Sequence, residues 1–109
     1  MDNKITPFTF NDIEVRVVTR GGAPWWVAAD VAHALGYRDA GRITRYVRDH
    51  QKGSQKLCTL GGSQELQVIN EAGLYMAIMK SHSPHAEKFQ DWVTEEVLPA
   101  IRSPRRLSH

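Results

Sequence analysis

Arg38, Arg42, Arg45, Arg48, Lys52 and Lys56 follow one another at intervals of three or four residues, with few acids between them. At roughly 100° per residue, an α-helix would gather Arg42, Arg45 and Arg48 on one side, with Lys52 in the same arc if the helix runs that far. Ile43, Tyr46 and Val47 would then fall within an opposing arc of about 100°, suited to burial. Guanidinium groups in such a row can neutralise phosphates, and one or two can bond the edge of guanine, the commonest specific base contact. Thr44 lies near the arginine arc, within reach of a phosphate or a base. Tyr37 stands beside Arg38 at the corner before the helix, the one aromatic residue not obviously placed in a core. The plainer reading of the same residues is an ordinary amphipathic helix whose basic face is solvated.

Other chemistries have weaker support. His82-Ser-Pro-His85, followed by Glu87, offers two imidazoles and a carboxylate for a metal but no fourth ligand, so an exposed His85 in a first helical turn is preferred. Ser54, Ser63, His33 and His50 form no nucleophile elbow, zincin helix or paired-carboxylate arrangement. Gly21-Gly22 and Gly61-Gly62 lack the Lys-Ser/Thr of a phosphate loop and read as hairpin turns. No catalytic residue, metal or cofactor is expected. Cys58 stands alone, which excludes an internal disulfide, and its place in a strand predicts a buried, inert thiol.

The chain of 109 residues is 41% apolar, enough for one core, and no run approaches the roughly 18 apolar residues of a membrane span. The N-terminus lacks the charged-then-apolar pattern of a secretory signal. A cytoplasmic protein is expected. The net charge of +2 points to no partner, but its distribution does. Between Asp30 and Lys56 six Lys/Arg face three Asp/Glu, a local excess of +3, whereas Leu57 to Arg102 carries −3. A local patch suffices for nucleic acid, because screening limits each phosphate to charges within about 10 Å.

The elements that must position these residues read as α+β: a small antiparallel sheet, made of N-terminal strands and a β-hairpin, packed with about four helices. Pro7 to Phe10 and Ile13 to Val18 are predicted strands around an Asn11-Asp12 turn; Ile13, Val15 and Val17 alternate with Glu14 and Arg16. After a turn at Arg20-Gly-Gly-Ala-Pro24, Trp25-Trp-Val27 is a third strand whose two tryptophans point to opposite faces. A first helix spans Ala28 to Leu35, with Asp30 in its first turn and Gly36 ending it. Asp39 caps a second, Ala40 to Arg48, and the spacing of Ala32, Gly36 and Ile43 makes the pair helix-turn-helix-like. Gln51 to Gln55 is expected to be a mobile loop. Lys56 to Leu60 and Gln64 to Ile69 form a hairpin about Gly61-Gly62-Ser63. Asn70 caps a helix from Glu71 to Lys80, apolar almost all round and therefore expected at the centre. Ser83-Pro84 begins a last helix, which Pro99 should kink or end near Leu98. Residues 1–102 are expected to form one domain, with 103–109 a frayed basic tail.

Ile69-Asn-Glu-Ala-Gly-Leu-Tyr75, Ser81-His-Ser-Pro-His-Ala86, Phe89-Gln-Asp-Trp-Val93 and Glu96-Val-Leu-Pro-Ala-Ile-Arg102 resemble blocks of the BRO family N-terminal domain (Bro-N). Val15-Arg-Val17, Pro24-Trp-Trp-Val-Ala-Ala-Asp-Val-Ala32 and Ala34-Leu-Gly-Tyr37 are also similar to the family pattern, so the resemblance covers about Phe8 to Arg102. That domain occurs in phage and prophage antirepressors and in large DNA viruses. The resemblance implies a DNA-binding α+β domain, usually followed by a variable C-terminal domain. Since the sequence ends at His109, it is read as a lone module or a piece of a longer protein.

Residues and resemblance together predict a module that binds double-stranded DNA through Tyr37, Arg38, Arg42, Thr44, Arg45, Arg48, Lys52 and Lys56. The alternative is a protein-interaction module that binds a phage repressor or a second copy of itself as a homodimer. It would use one exposed tryptophan of Trp25-Trp26 and the acidic last helix (Glu87, Asp91, Glu95, Glu96).

Overall fold

Alternating side chains in the N-terminal half close into two tight hairpins. The computed structural model, which describes residues 4–59, 61–81 and 83–102, has strands β1 (Lys4–Phe10), β2 (Ile13–Arg20) and β3 (Ala23–Val27) joined by two-residue turns. Asn11 and Asp12 both take positive φ (50° and 66°), as do Gly21 and Gly22 (58° and 81°), the conformation that matches the twist of the flanking strands. Strands β4 (Lys52–Thr59) and β5 (Gly62–Ile69) form a third hairpin, and the five strands make one antiparallel sheet in the order β1-β2-β3-β5-β4. Thr59 opposes Gly62, so Gly62 and Ser63 belong to β5 rather than to the turn. Only Val68 and Ile69 of β5 pair with β3, so most of this hairpin projects past the sheet.

The expected mobile loop at Gln51 to Gln55 is instead a 3-10 turn, Asp49–Gln51, followed by the first residues of β4. Lys52 to Gln55 pair with Leu66 to Ile69, and the ladder supplies the order that their polar side chains give no sign of. The expectations for His82, for the tail 103–109 and for the Cys58 thiol fall outside what is described.

Helices α1 (Ala28–Leu35), α2 (Ala40–Tyr46), α3 (Glu71–Lys80), α4 (Ala86–Trp92) and α5 (Leu98–Arg102) complete the α+β fold. One core binds them to the sheet: Phe10, Val15, Val17 and Trp26 meet Val31, Leu35, Ile43, Leu74, Phe89 and Val97. Trp25 lies on the opposite face with Val18, Val27 and Val68, and the Arg20 guanidinium covers its ring at 4.7 Å. Asp30 does more than face a helix dipole. Its carboxylate accepts from the Arg16 backbone N–H (2.9 Å), Nε (2.8 Å) and Nη2 (2.9 Å), tying the start of α1 to β2. That bond holds the Arg16 guanidinium above the ordinary arginine pKa. The last helix is anchored on β1 by Phe10 against Phe89 (5.1 Å) and Trp92 (5.3 Å).

Two expectations about helices need correction. α3 buries Gly73, Leu74, Ala77 and Ile78, but Met79 is 72% exposed, so one side of this apolar helix faces solvent. Pro99 does not end the last helix. A π-helical turn, Val93–Val97, joins α4 to α5, and Leu98 keeps helical dihedrals of −65° and −43°. Proline lacks an N–H and presses on the carbonyl one turn back; the wider turn absorbs both, and the chain stays helical to Arg102.

Candidate nucleic-acid interface

The corner between α1 and α2 is fixed by backbone and side-chain bonds that its sequence provides. Gly36 takes φ 81°, and the Tyr37 and Gly36 N–H groups donate to the carbonyls of Ala32 (2.8 Å) and His33 (3.3 Å), a Schellman closure. Tyr37 then turns inward. Its hydroxyl donates to the Ala77 carbonyl of α3 at 2.7 Å, and burial, with a smaller contribution from Tyr46, raises its pKa above the ordinary tyrosine value. The residue expected to be free for bases is therefore a bolt between helices. At the far side of the corner Asp39 accepts from the Arg42 N–H (3.2 Å) and starts α2.

α2 is shorter than its periodicity predicts. It ends at Tyr46, Val47 adopts an extended conformation, and Arg48 and Lys52 lie beyond the helix. The break is tertiary in origin: Gln51 uses its carbonyl to accept the Asn70 N–H (2.9 Å) and Lys52 opens the ladder opposite Ile69, which another helical turn would forbid. Ile43 and Val47 are buried as expected, but Tyr46 is 37% exposed, its ring 6.3 Å from that of Tyr37.

The cations nonetheless remain outward. Arg38, Arg42, Arg45, Arg48 and Lys56 are exposed, and none makes an ion pair among the described residues. Lys52 differs: its side chain is 29% exposed, and Nζ donates to the Thr44 carbonyl (3.3 Å) and lies 3.8 Å from Asp49. Thr44 is half-buried and spends its hydroxyl proton on the Gly41 carbonyl (3.1 Å). The arrangement thus gathers Arg38, Arg42, Arg45 and Arg48 about α2, sets Lys56 apart on the projecting hairpin, and leaves Lys52 and Thr44 partly engaged.

A groove of about 510 Å³ opens beside the corner. Arg38 and Arg42 line it with the two tyrosines, together with Lys80, from the last turn of α3, and with Ser81 and Ser83. Lys80 Nζ is 5.8 Å from the centroid of the Tyr46 ring. Nothing in the sequence links Lys80 to Arg42; their meeting depends on how α3 packs against the corner. Among the described residues no three His, Cys, Asp or Glu side chains are grouped so as to hold a metal ion. No helix there is long and apolar enough to cross a membrane.

Comparison with known proteins gives a family. The model of the BRO family N-terminal domain matches residues 14–99. An uncharacterized protein of Haemophilus influenzae is 42% identical over 109 residues, covering 94% of this chain and 53% of that protein. A putative Bro-N domain-containing protein, 201R, of Invertebrate iridescent virus 6 is 36% identical over 100 residues, 72% of this chain and 24% of the relative. A second such protein, 019R of Invertebrate iridescent virus 3, is 62% identical over 34 residues, 31% of this chain and 8% of its own length. The chain thus spans about half the length, or less, of the curated relatives it matches. No solved structure matches it.

Proposed function

Because this chain belongs to the BRO family through its N-terminal domain, we propose that it binds double-stranded DNA through the basic α1–α2 segment, in a regulator of the phage antirepressor type. One observation carries the reading: Arg38, Arg42, Arg45 and Arg48 project into solvent around a helix whose other side, Ile43, is wholly buried. Charges that no carboxylate answers within the described part of the protein are available to phosphates. Arg38, Arg42, Arg45 and Arg48, with Lys56, contact the phosphate backbone, and one or two of the arginines also reach base edges. Lys52 and Thr44 hold the end of α2 in place and contribute less. On this reading residues 1–102 act as one binding domain at the bacterial nucleoid.

The test is a salt series on a duplex. If about four phosphates are met, log affinity falls against log salt with a slope near −3.5. A slope near zero removes the patch from the mechanism. Arg45→Ala should weaken binding without lowering the melting temperature, because its side chain is exposed and makes no ion pair among the described residues.

The alternative, an interaction module for a phage repressor or a second copy, keeps the exposed acids Glu87, Asp91, Glu95 and Glu96 but loses Trp25, which is half-buried under Arg20. Retention on a DNA column with a monomer profile on size exclusion favours DNA. A dimer that flows through favours the alternative.

A further inference from the structure

We infer that the groove between the α1–α2 corner and the end of α3 is a phosphate-binding site, with Lys80 as a ligand to the same DNA strand that runs along α2; this rests on the DNA-binding reading above. Three cations from three separate segments (Arg38 on the corner, Arg42 on α2, Lys80 on α3) line one groove, and among the described residues no carboxylate lines it. Cations lining one groove give it a positive potential, which an anion bound among them offsets.

α1 and α3 both finish at this groove, and several of their terminal carbonyls are already occupied by neutral donors: Ala32 by the Tyr37 N–H, Leu35 by the Ser81 hydroxyl (3.4 Å), Ala77 by the Tyr37 hydroxyl and Ile78 by the Ser81 N–H (3.2 Å). Ser83 adds a neutral donor. Its Oγ accepts from the His85 N–H (3.0 Å), and no acceptor takes its own proton among the described residues. A tetrahedral anion with acceptors on every side suits such a set. A flat base does not, because Tyr37 and Tyr46 stand only 6.3 Å apart at 51° and Lys80 covers the Tyr46 ring. The groove is open, which suits a phosphate on a polymer running on toward Arg45.

The experiment sets wild type, Lys80→Gln, Lys80→Arg and Arg45→Gln beside one another in the duplex salt series, with melting temperatures in parallel. Tyr37 and Tyr46 ring resonances are also followed as duplex or inorganic phosphate is added. Lys80→Gln should reduce the magnitude of the slope by about 0.9, so that a fourfold rise in salt weakens it about 3.5-fold less than wild type. Its melting temperature should not change, and Lys80→Arg should restore the slope. Duplex should shift both tyrosine signals at concentrations where inorganic phosphate does not. If Arg45→Gln flattens the slope and Lys80→Gln does not, the groove assignment is wrong and DNA binding stands. If wild type shows no salt-dependent duplex binding, the DNA reading fails. Inorganic phosphate then decides the groove: shifts that Lys80→Gln abolishes support a site for a free phosphate group, and unmoved signals overturn it.

Discussion

Replacing Gly73 by alanine should destabilise the protein, although the position is helical and helix propensity alone favours alanine by about 1 kcal/mol. Gly73 is buried near the start of α3, where its N–H is capped by the Asn70 side chain at 2.9 Å. A Cβ there would lie 3.1 Å from the Gln51 carbonyl oxygen, 3.2 Å from Ile69 Cβ and 3.2 Å from Val47 Cγ1. None of the three can yield cheaply. The Gln51 carbonyl is held by the Asn70 N–H, Ile69 is locked between Trp26 and Lys52 in the sheet, and valine has little freedom about χ1. Overpacking of this kind costs about 1–3 kcal/mol, and loosening the Asn70–Gln51 bond adds about 1. Set against the propensity gain, the net loss is about 1–3 kcal/mol, or about 4–12 °C in melting temperature for a chain of this size. Thermal melts of the two proteins by circular dichroism measure it. An unchanged or raised melting temperature would show that the junction opens freely, and the close-approach argument for this glycine would fail.

Asp30→Ala removes the acceptor of three bonds and strands the Arg16 N–H and guanidinium. A loss of about 2–3 kcal/mol is expected from one charged bond to backbone and a partly buried ion pair, read as a urea-midpoint shift with unchanged slope; a shift below about a third of that would mean water replaces the carboxylate without penalty. Tyr37→Phe deletes the bond to the Ala77 carbonyl and should cost about 1–2 kcal/mol at neutral pH. The raised folded pKa of Tyr37 gives its contribution a sign: it is fully present below the ordinary value of 10.0 and declines as pH rises through and beyond it, because the unfolded chain releases the proton first. The stability difference between wild type and Tyr37→Phe should therefore shrink from pH 8 to pH 11. A difference that stays constant across that range would contradict a buried, proton-donating Tyr37.

Where local chemistry and tertiary context agree, the residues of this chain announce their structure. α1 runs over the expected Ala28–Leu35 because Gly36 is where left-handed backbone is needed, and α3 begins at Glu71 because Asn70 both caps it and leaves the sheet. β2 is legible in its alternation, Val15 and Val17 buried and Glu14 exposed. The start of β4, Lys52 to Gln55, is not, for a physical reason. It lies in an edge strand and is wholly polar, so no apolar period marks it, and its conformation is set by the backbone of β5. Of the kink or end that Pro99 predicts, the end does not occur, because the preceding turn widens, and a π turn has no local signature of its own.

The candidate interface divides along the same line. Exposure of Arg42 and Arg45 follows from Ile43 being apolar and buried, a relation among neighbours that a helical wheel captures. The wheel fails from Val47 onward, because the helix stops where Gln51 and Lys52 are claimed by Asn70 and Ile69. Arg48 still reaches solvent, since only Val47 at that break is drawn into the core, whereas Lys52 is turned back onto Thr44. Lys80 lies beyond any local rule. It comes to Arg38 and Arg42 only because Tyr37 bolts the corner to Ala77, one turn before the end of α3, so the hydroxyl that looked free for a base is what brings the last cation to the groove. If that is so, Tyr37→Phe should alter duplex affinity through Lys80, and in a Lys80→Gln background the same substitution should have less effect than in wild type.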